Sequence, residues 1–132
     1  MTPFRVRYPE VDRMGFVHHA QYFVWFELGR TEVMRSSGLS YREAEDELGV
    51  FFPIIEAGAC FRRAARYDEE LAVRTTIREL SGLRVRFEYQ VVRPGSGELL
   101  AEGFTVHVAI DRRGRARRVP PAVRERLAAW LS

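Results

Sequence analysis

Residues Tyr8 to Arg30 read Y-P-E-V-D-R-M-G-F-V-H-H-A-Q-Y-F-V-W-F-E-L-G-R, and the reading of this stretch decides the fold. Asp12 opens a loop that holds Gly15 and the pair His18 and His19, and the loop runs directly into the most apolar helical segment of the chain. From Gln21 to Ser36 the pattern is helical, and Gly38 stops it. Tyr22, Phe23, Val24, Trp25, Phe26 and Leu28 leave the first turns little polar face. Such a helix is expected to be enclosed by protein on most sides, as a central helix wrapped by a sheet would be. A helix N-terminus carries unpaired N–H groups and a partial positive charge, which favour negative charge developing on a carbonyl or phosphate. His19 and Ala20 stand where Ser, Thr, Asp or Asn would accept from the first amides. A carboxylate beside free amides supplies a base or nucleophile and an oxyanion site, the parts needed for attack on an acyl carbonyl. The plain alternative is a turn-forming Asp ahead of a helix whose first amides are hydrated.

Outward from this stretch the pattern is α+β. Phe4–Tyr8 alternates apolar and basic residues and predicts a short first strand. After the long helix, Ser40 and Glu43 make an S-x-x-E capping box for a short helix that Gly49 ends. Four strand-like runs follow. Phe51–Arg66 is long, with Pro53 and Gly58 predicting a bend or bulge. Leu71–Ile77 and Leu83–Val91 alternate cleanly, and Leu100–Ile110 completes the set after a Pro94–Gly97 turn. Consecutive strands with short links predict an antiparallel sheet with one face buried. Pro120 and Pro121 open a small C-terminal helix reaching about Leu131.

The motif Tyr8-x3-Asp12-x2-Gly15-x-Val17-x-His19-x2-Tyr22, followed by Phe26-Glu27 and Arg30, resembles the signature of the hotdog-fold acyl-CoA thioesterases. Within the 4-hydroxybenzoyl-CoA thioesterase superfamily it is most similar to the YbgC type. The resemblance continues through Ser37–Tyr41, Val50–Ala57, Arg62–Leu71 and Leu100–Gly103, nearly the whole chain, and departs at Gln21, where this family often has Asn. It implies a hotdog fold over residues 1–132 as a single thioesterase domain, an antiparallel sheet wrapped around a long central helix. It implies Asp12 as the catalytic carboxylate, general base or nucleophile, and a backbone N–H near His19 that polarises the thioester carbonyl. The side chains of Tyr8 and His19 belong to the implied site, with Gly15, Val17 and Tyr22 around the substrate. Arg62, Arg63, Arg66 and Tyr67 fall in the segment that contacts coenzyme A. The resemblance also implies a homo-oligomer, a dimer or dimer of dimers, with sites at the subunit interface. The same fold hosts dehydratases and non-catalytic binders of acyl-CoA or acyl carrier protein, and these are the rival readings.

Composition narrows the rest. The chain has 132 residues, one Cys (Cys60) and a formal net charge of +3, so no disulfide framework or thiol pair for a metal is available. No run reaches the length of a membrane span and the N-terminus lacks a basic-then-apolar signal pattern, which predicts a cytoplasmic protein without a membrane span. All 21 basic residues are Arg. The tail Arg112-Arg113-Gly114-Arg115-Ala116-Arg117-Arg118 invites a nucleic-acid reading, but no nucleic-acid motif accompanies it and a solvated hairpin tip is expected instead. His18 and His19 are expected to point in different directions and His107 stands alone on a strand, so no metal and no cofactor are predicted. No G-x-S-x-G elbow or glycine-rich phosphate loop is present. Glu27 and Arg30, three apart on the helix, are candidates for an ion pair, and Cys60 for a small core or sheet residue. Phe16, Phe23 and Phe52 are candidates for an apolar pocket wall.

Overall fold

In the computed structural model, which describes residues 1–132, five strands make one antiparallel sheet: β1 (Thr2–Arg5), β2 (Ile54–Phe61), β3 (Glu70–Leu80), β4 (Arg84–Val92) and β5 (Leu99–Val108). Their spatial order is β1-β3-β4-β5-β2. Period-two alternation sorts the faces. On β4, Val85, Phe87, Tyr89 and Val91 are buried, while Arg86, Glu88 and Gln90 lie on the opposite face.

Helix α1 (Gln21–Ser36) lies on the inner face. Two glycines let it approach closely. A Cβ at Gly29 would stand 2.3 Å from Thr75 Oγ1, and one at Gly103 would meet Phe26 at 2.5 Å. Phe26 thus lies flat on Tyr89, with ring centroids 4.5 Å apart and planes 7° from parallel. The sheet wraps a long helix and the fold is the hotdog, as the sequence predicts.

Helix α2 (Tyr41–Leu48) is closed at both ends by local chemistry. Ser40 Oγ accepts the Glu43 N–H at 3.1 Å, and Gly49 leaves the helix at φ 63°. Helix α3 (Pro121–Ala128) starts on Pro121. No helix is long and apolar enough to cross a membrane.

Some expectations need correction. The first strand ends at Arg5, not Tyr8, because Tyr8–Glu10 forms a 3-10 turn in which the Glu10 carboxylate takes the Arg7 N–H. The run Phe51–Arg66 yields only Ile54–Phe61 as strand. Past Phe61 the amides of Arg62 and Arg63 both turn onto the Leu100 carbonyl, at 2.7 and 3.0 Å. The predicted irregularity falls between Ile54 and Glu56, where the register with β5 shifts. Helix α1 is not enclosed within one chain: Val24 and Leu28 are 46% and 40% exposed. Glu27 and Arg30 form no ion pair; Glu27 is exposed, and Arg30 Nη1 is buried without a partner.

The arginine tail is the solvated tip expected, with Arg113 and Arg115 exposed, but some arginines reach helix ends. Arg112 Nη2 donates to the carbonyls of Glu45 and Asp46 and Arg117 Nη1 to Leu48, and from α3 Arg126 Nη1 donates to Ser37. These are the carbonyls that α2 and α1 leave unpaired at their C-terminal ends, where the helix dipole favours a cation.

Candidate active site

Asp12 sits half-buried in the loop between the 3-10 turn and α1. Its Oδ1 accepts the amides of Met14 at 2.8 Å and Phe16 at 3.3 Å, and the Asp12 N–H returns to the Phe16 carbonyl at 2.8 Å. Gly15 turns the loop at φ 82°, a conformation that a Cβ disfavours. The self-closing loop fixes Asp12 by one oxygen. Oδ2 accepts no hydrogen bond from the protein.

The helix start is more fully bonded than the lack of a capping residue predicts. Gln21, Tyr22 and Phe23 donate to the carbonyls of His18, His19 and Ala20, at 3.0, 3.3 and 3.2 Å. The Ala20 amide donates to His18 Nδ1 at 3.3 Å, so an imidazole substitutes for the usual cap. One amide of this turn, that of His19, has no acceptor in the protein. The His18 and His19 rings do not diverge as expected. The Ala20 bond folds the His18 ring back, and the two centroids lie 4.3 Å apart.

Asp12 and His19 open onto one cavity of about 390 Å³, lined also by Phe16, Val17, Tyr22, Phe61, Arg62, Arg63 and Ala64. Phe61, 48% exposed at the end of β2, stands edge-on to Tyr22 at 4.9 Å and to His19 at 6.4 Å. Tyr22 is buried, and burial raises its phenol pKa above the ordinary value. Val17 is tied to the opposite wall by its N–H to the Ala65 carbonyl at 3.0 Å. That wall is braced from behind: Arg93 pairs with Glu69 at 2.7 Å, and Glu69 accepts the Arg66 N–H at 2.8 Å. Arg93 holds the Glu69 carboxyl below its usual range.

The predicted site residues divide into two groups. Asp12, Val17, His19, Tyr22 and Arg62 line the cavity, while Gly15 shapes its loop. Arg66 lies over the Phe16 ring, 4.9 Å from its centroid, and Tyr67 meets Tyr8 edge-on at 5.6 Å. Tyr8 is 74% exposed and makes no hydrogen bond to Asp12, so these two aromatics sit outside the cavity. Of the candidate pocket phenylalanines only Phe16 lines it; Phe23 packs on Phe26 and Phe52 on Tyr41.

Sequence reasoning missed Phe61 and Glu10. The Glu10 side chain is 3% exposed, with Oε1 accepting the Arg7 N–H at 2.7 Å and Oε2 the Trp25 Nε1–H at 3.1 Å. The spacing Asp12–Glu10 carried a signal, since a second carboxylate so near an apolar helix needs partners if buried.

A larger cavity, about 610 Å³, lies on the sheet face turned away from α1. Most of its polar side chains are bonded to one another. Arg78 and Arg86 bond Glu88 at 3.0 and 3.2 Å, and Arg74 bonds Gln90 at 2.9 Å. On β5, Cys60's neighbouring strand, His107 is buried with Nδ1 on the Phe52 carbonyl and Nε2 on Thr105 Oγ1, both at 2.9 Å. Burial pulls its pKa down to about 4, so it is neutral and structural. Cys60 itself is exposed on β2, not in the core.

Proteins similar to this chain include several named as thioesterases. The profile of the Thioesterase-like superfamily matches residues 6–131. The putative acyl-CoA thioesterase YneP of Bacillus subtilis is 34% identical over 107 residues, which are 81% of this chain and 76% of that protein. The acyl-CoA thioesterase YbgC of Haemophilus influenzae is 32% identical over 81% of this chain and 76% of its own length. The crystal structure of the hypothetical protein TT1821 from Thermus thermophilus superposes with a TM-score of 0.89 at 40% identity, covering 98% of this chain and 99% of that one. A match that begins just past β1 and runs to residue 131 takes in the Asp12 loop, α1 and strands β2 to β5, and the chain therefore belongs to the thioesterase-like superfamily, among its YbgC-type hotdog members.

Proposed function

We propose that the chain hydrolyses acyl-CoA thioesters in the Asp12–His19 cavity, with residues 1–132 acting as one thioesterase domain. One observation carries the reading. Asp12 and His19 line a single cavity; Asp12 Oδ2 has no protein donor, and the His19 amide, just ahead of α1, has no protein acceptor. The thioester oxygen is held by the His19 N–H, where the helix dipole favours its developing charge. Asp12 Oδ2 then either removes a proton from water as water attacks the carbonyl carbon, or attacks that carbon itself to give a mixed anhydride that water cleaves. In both routes the C–S bond breaks, coenzyme A leaves as the thiol and the acyl group as the acid. The His19 ring, Tyr22, Val17 and Phe61 enclose the acyl carbonyl. Arg62, Arg63 and Arg66 serve the phosphates at the mouth. Tyr8 and Tyr67 belong to the coenzyme side and not to the proton transfer.

The active unit in this reading is a homo-oligomer built on dimers. β2 pairs only with β5, leaving its outer edge open, and Ile54, Ile55 and Phe61 are exposed along it. Together with Val24 and Leu28 on α1 they form the apolar surface that a second copy covers. Ile55→Lys should shift the sedimentation profile toward monomer and reduce activity; an unchanged profile contradicts this interface.

The test of the activity is thiol release from acetyl-, octanoyl-, palmitoyl- and benzoyl-CoA. Turnover of at least one is expected, and its identity names the acyl class. Single-turnover hydrolysis in 18O-water identifies the anhydride route where label enters the protein, because only water addition at the Asp12 carbonyl of the anhydride puts it there. Tight coenzyme A binding without thiol release from any substrate contradicts the hydrolase reading.

A further inference from the structure

We propose that Glu10 is a positioning residue for the hydrolysis: its buried carboxylate sets the place of the His19 amide relative to Asp12. This rests on the hydrolase reading of the Asp12–His19 cavity. Glu10 lies outside that cavity, yet it joins three elements that converge on it. Its Oε1 holds the Arg7 N–H just past β1, and its Oε2 holds the Trp25 indole N–H on the second turn of α1. Arg7 Nη2 adds a longer contact of 3.4 Å to Oε2. The Glu10 carbonyl accepts the His18 N–H at 2.9 Å, one peptide before the free amide of His19. Asp12 follows two residues later, on the strand-like step where Val11 bridges Val17. Trp25 also packs edge-on against Tyr22, 4.7 Å between centroids, so the indole that Glu10 fixes supports a cavity wall.

A carboxylate is the group this position requires. Both partners on its two oxygens are donors, and a carboxylate accepts at both. Glutamine has the same shape but one acceptor. Its amide N–H groups would face either the Arg7 amide or the Trp25 indole, donor against donor, and one clamp opens. The Glu10 carbonyl, the His18 N–H on it and the neighbouring His19 amide then lose their fixed place. Small displacements of an oxyanion donor lower the rate with little effect on ground-state binding.

The experiment measures kcat on the best acyl-CoA, and the Kd of its thioether analogue, which lacks the carbonyl. Wild type, Glu10→Gln, Trp25→Phe and the double variant are compared, with thermal midpoints. For folded Glu10→Gln, kcat should fall at least tenfold while the analogue Kd stays within threefold. Trp25→Phe should lower kcat in the same sense by a smaller factor, and the double variant should be no slower than Glu10→Gln alone. Glu10→Gln with kcat within twofold of wild type overturns the inference, as does a loss that only tracks the folded fraction. Should Glu10→Gln not fold, Trp25→Phe decides by the same criterion. A wild type that releases no thiol overturns the hydrolase reading and this inference together; an active wild type with an unaffected variant overturns this inference alone.

Discussion

At Glu10 both carboxylate oxygens are bonded, to the Arg7 amide and the Trp25 indole, and the side chain is 3% exposed. Two residues on, at Asp12, one oxygen closes the loop onto Met14 and Phe16 while the other has no donor from the protein, and the residue stays half-exposed. The fully bonded carboxylate belongs to the framework, where its removal leaves buried donors without partners. The half-bonded one is held in place by the framework and remains free to react. If Asp12 is the reactive group proposed above, the two carboxylates are told apart by how many of their hydrogen-bonding sites the fold itself satisfies.

Breaking each carboxylate in turn should separate rate from stability. Asp12→Ala removes the free oxygen and is expected to lower kcat by at least ~100-fold, as loss of a base or nucleophile does, while urea unfolding shifts by roughly 1 kcal/mol for the lost loop bonds. The next effect sharpens the rule with a third group. His107, buried and bonded at both ring nitrogens, has its pKa drawn down to about 4 from 6.5. The unfolded chain therefore binds its proton first. The stabilisation is full above about pH 6.5 and is lost as pH falls toward about 4, amounting to roughly 3 kcal/mol at most. Urea midpoints followed from pH 7 to 4 should fall less steeply in His107→Gln; parallel curves contradict the assignment. Glu10→Ala then mirrors Asp12→Ala, with an expected loss of roughly 2–3 kcal/mol in urea from the two orphaned donors. The smallest effect is at the α2 cap, where Ser40→Ala should cost about 1 kcal/mol by the same measurement and leave kcat unchanged.

The sequence made the sheet and α1 legible because both are written in local periodicity. β4 alternates without a break from Val85 to Val91, and the capping signals around Ser40 and Gly49 are short-range chemistry. Asp12 and His19 were legible through their placement before an apolar helix, and the family signature added to that. What escaped depends on distant partners. Burial of Glu10 requires Trp25, fifteen positions away, and Phe61 reaches the site only because β2 ends beside Tyr22. In the arginine tail, Arg112 and Arg117 find partners in the helix-end carbonyls of Glu45, Asp46 and Leu48, contacts that no local pattern announces. The exposure of Val24 and Leu28 was hidden for the opposite reason, since an apolar run predicts burial without saying which of its residues the fold leaves uncovered.

The most direct test is the single-turnover rate of thiol release by Asp12→Asn beside wild type, on protein verified as folded and of unchanged oligomeric state. Asparagine keeps a side-chain oxygen for the Met14 and Phe16 amides, so the loop survives and only the reactive oxygen is lost. A fall of two orders of magnitude or more, with the analogue Kd preserved, is the result predicted. A folded Asp12→Asn that releases thiol at the wild-type rate contradicts the role of Asp12 and, with it, the distinction drawn between the two carboxylates.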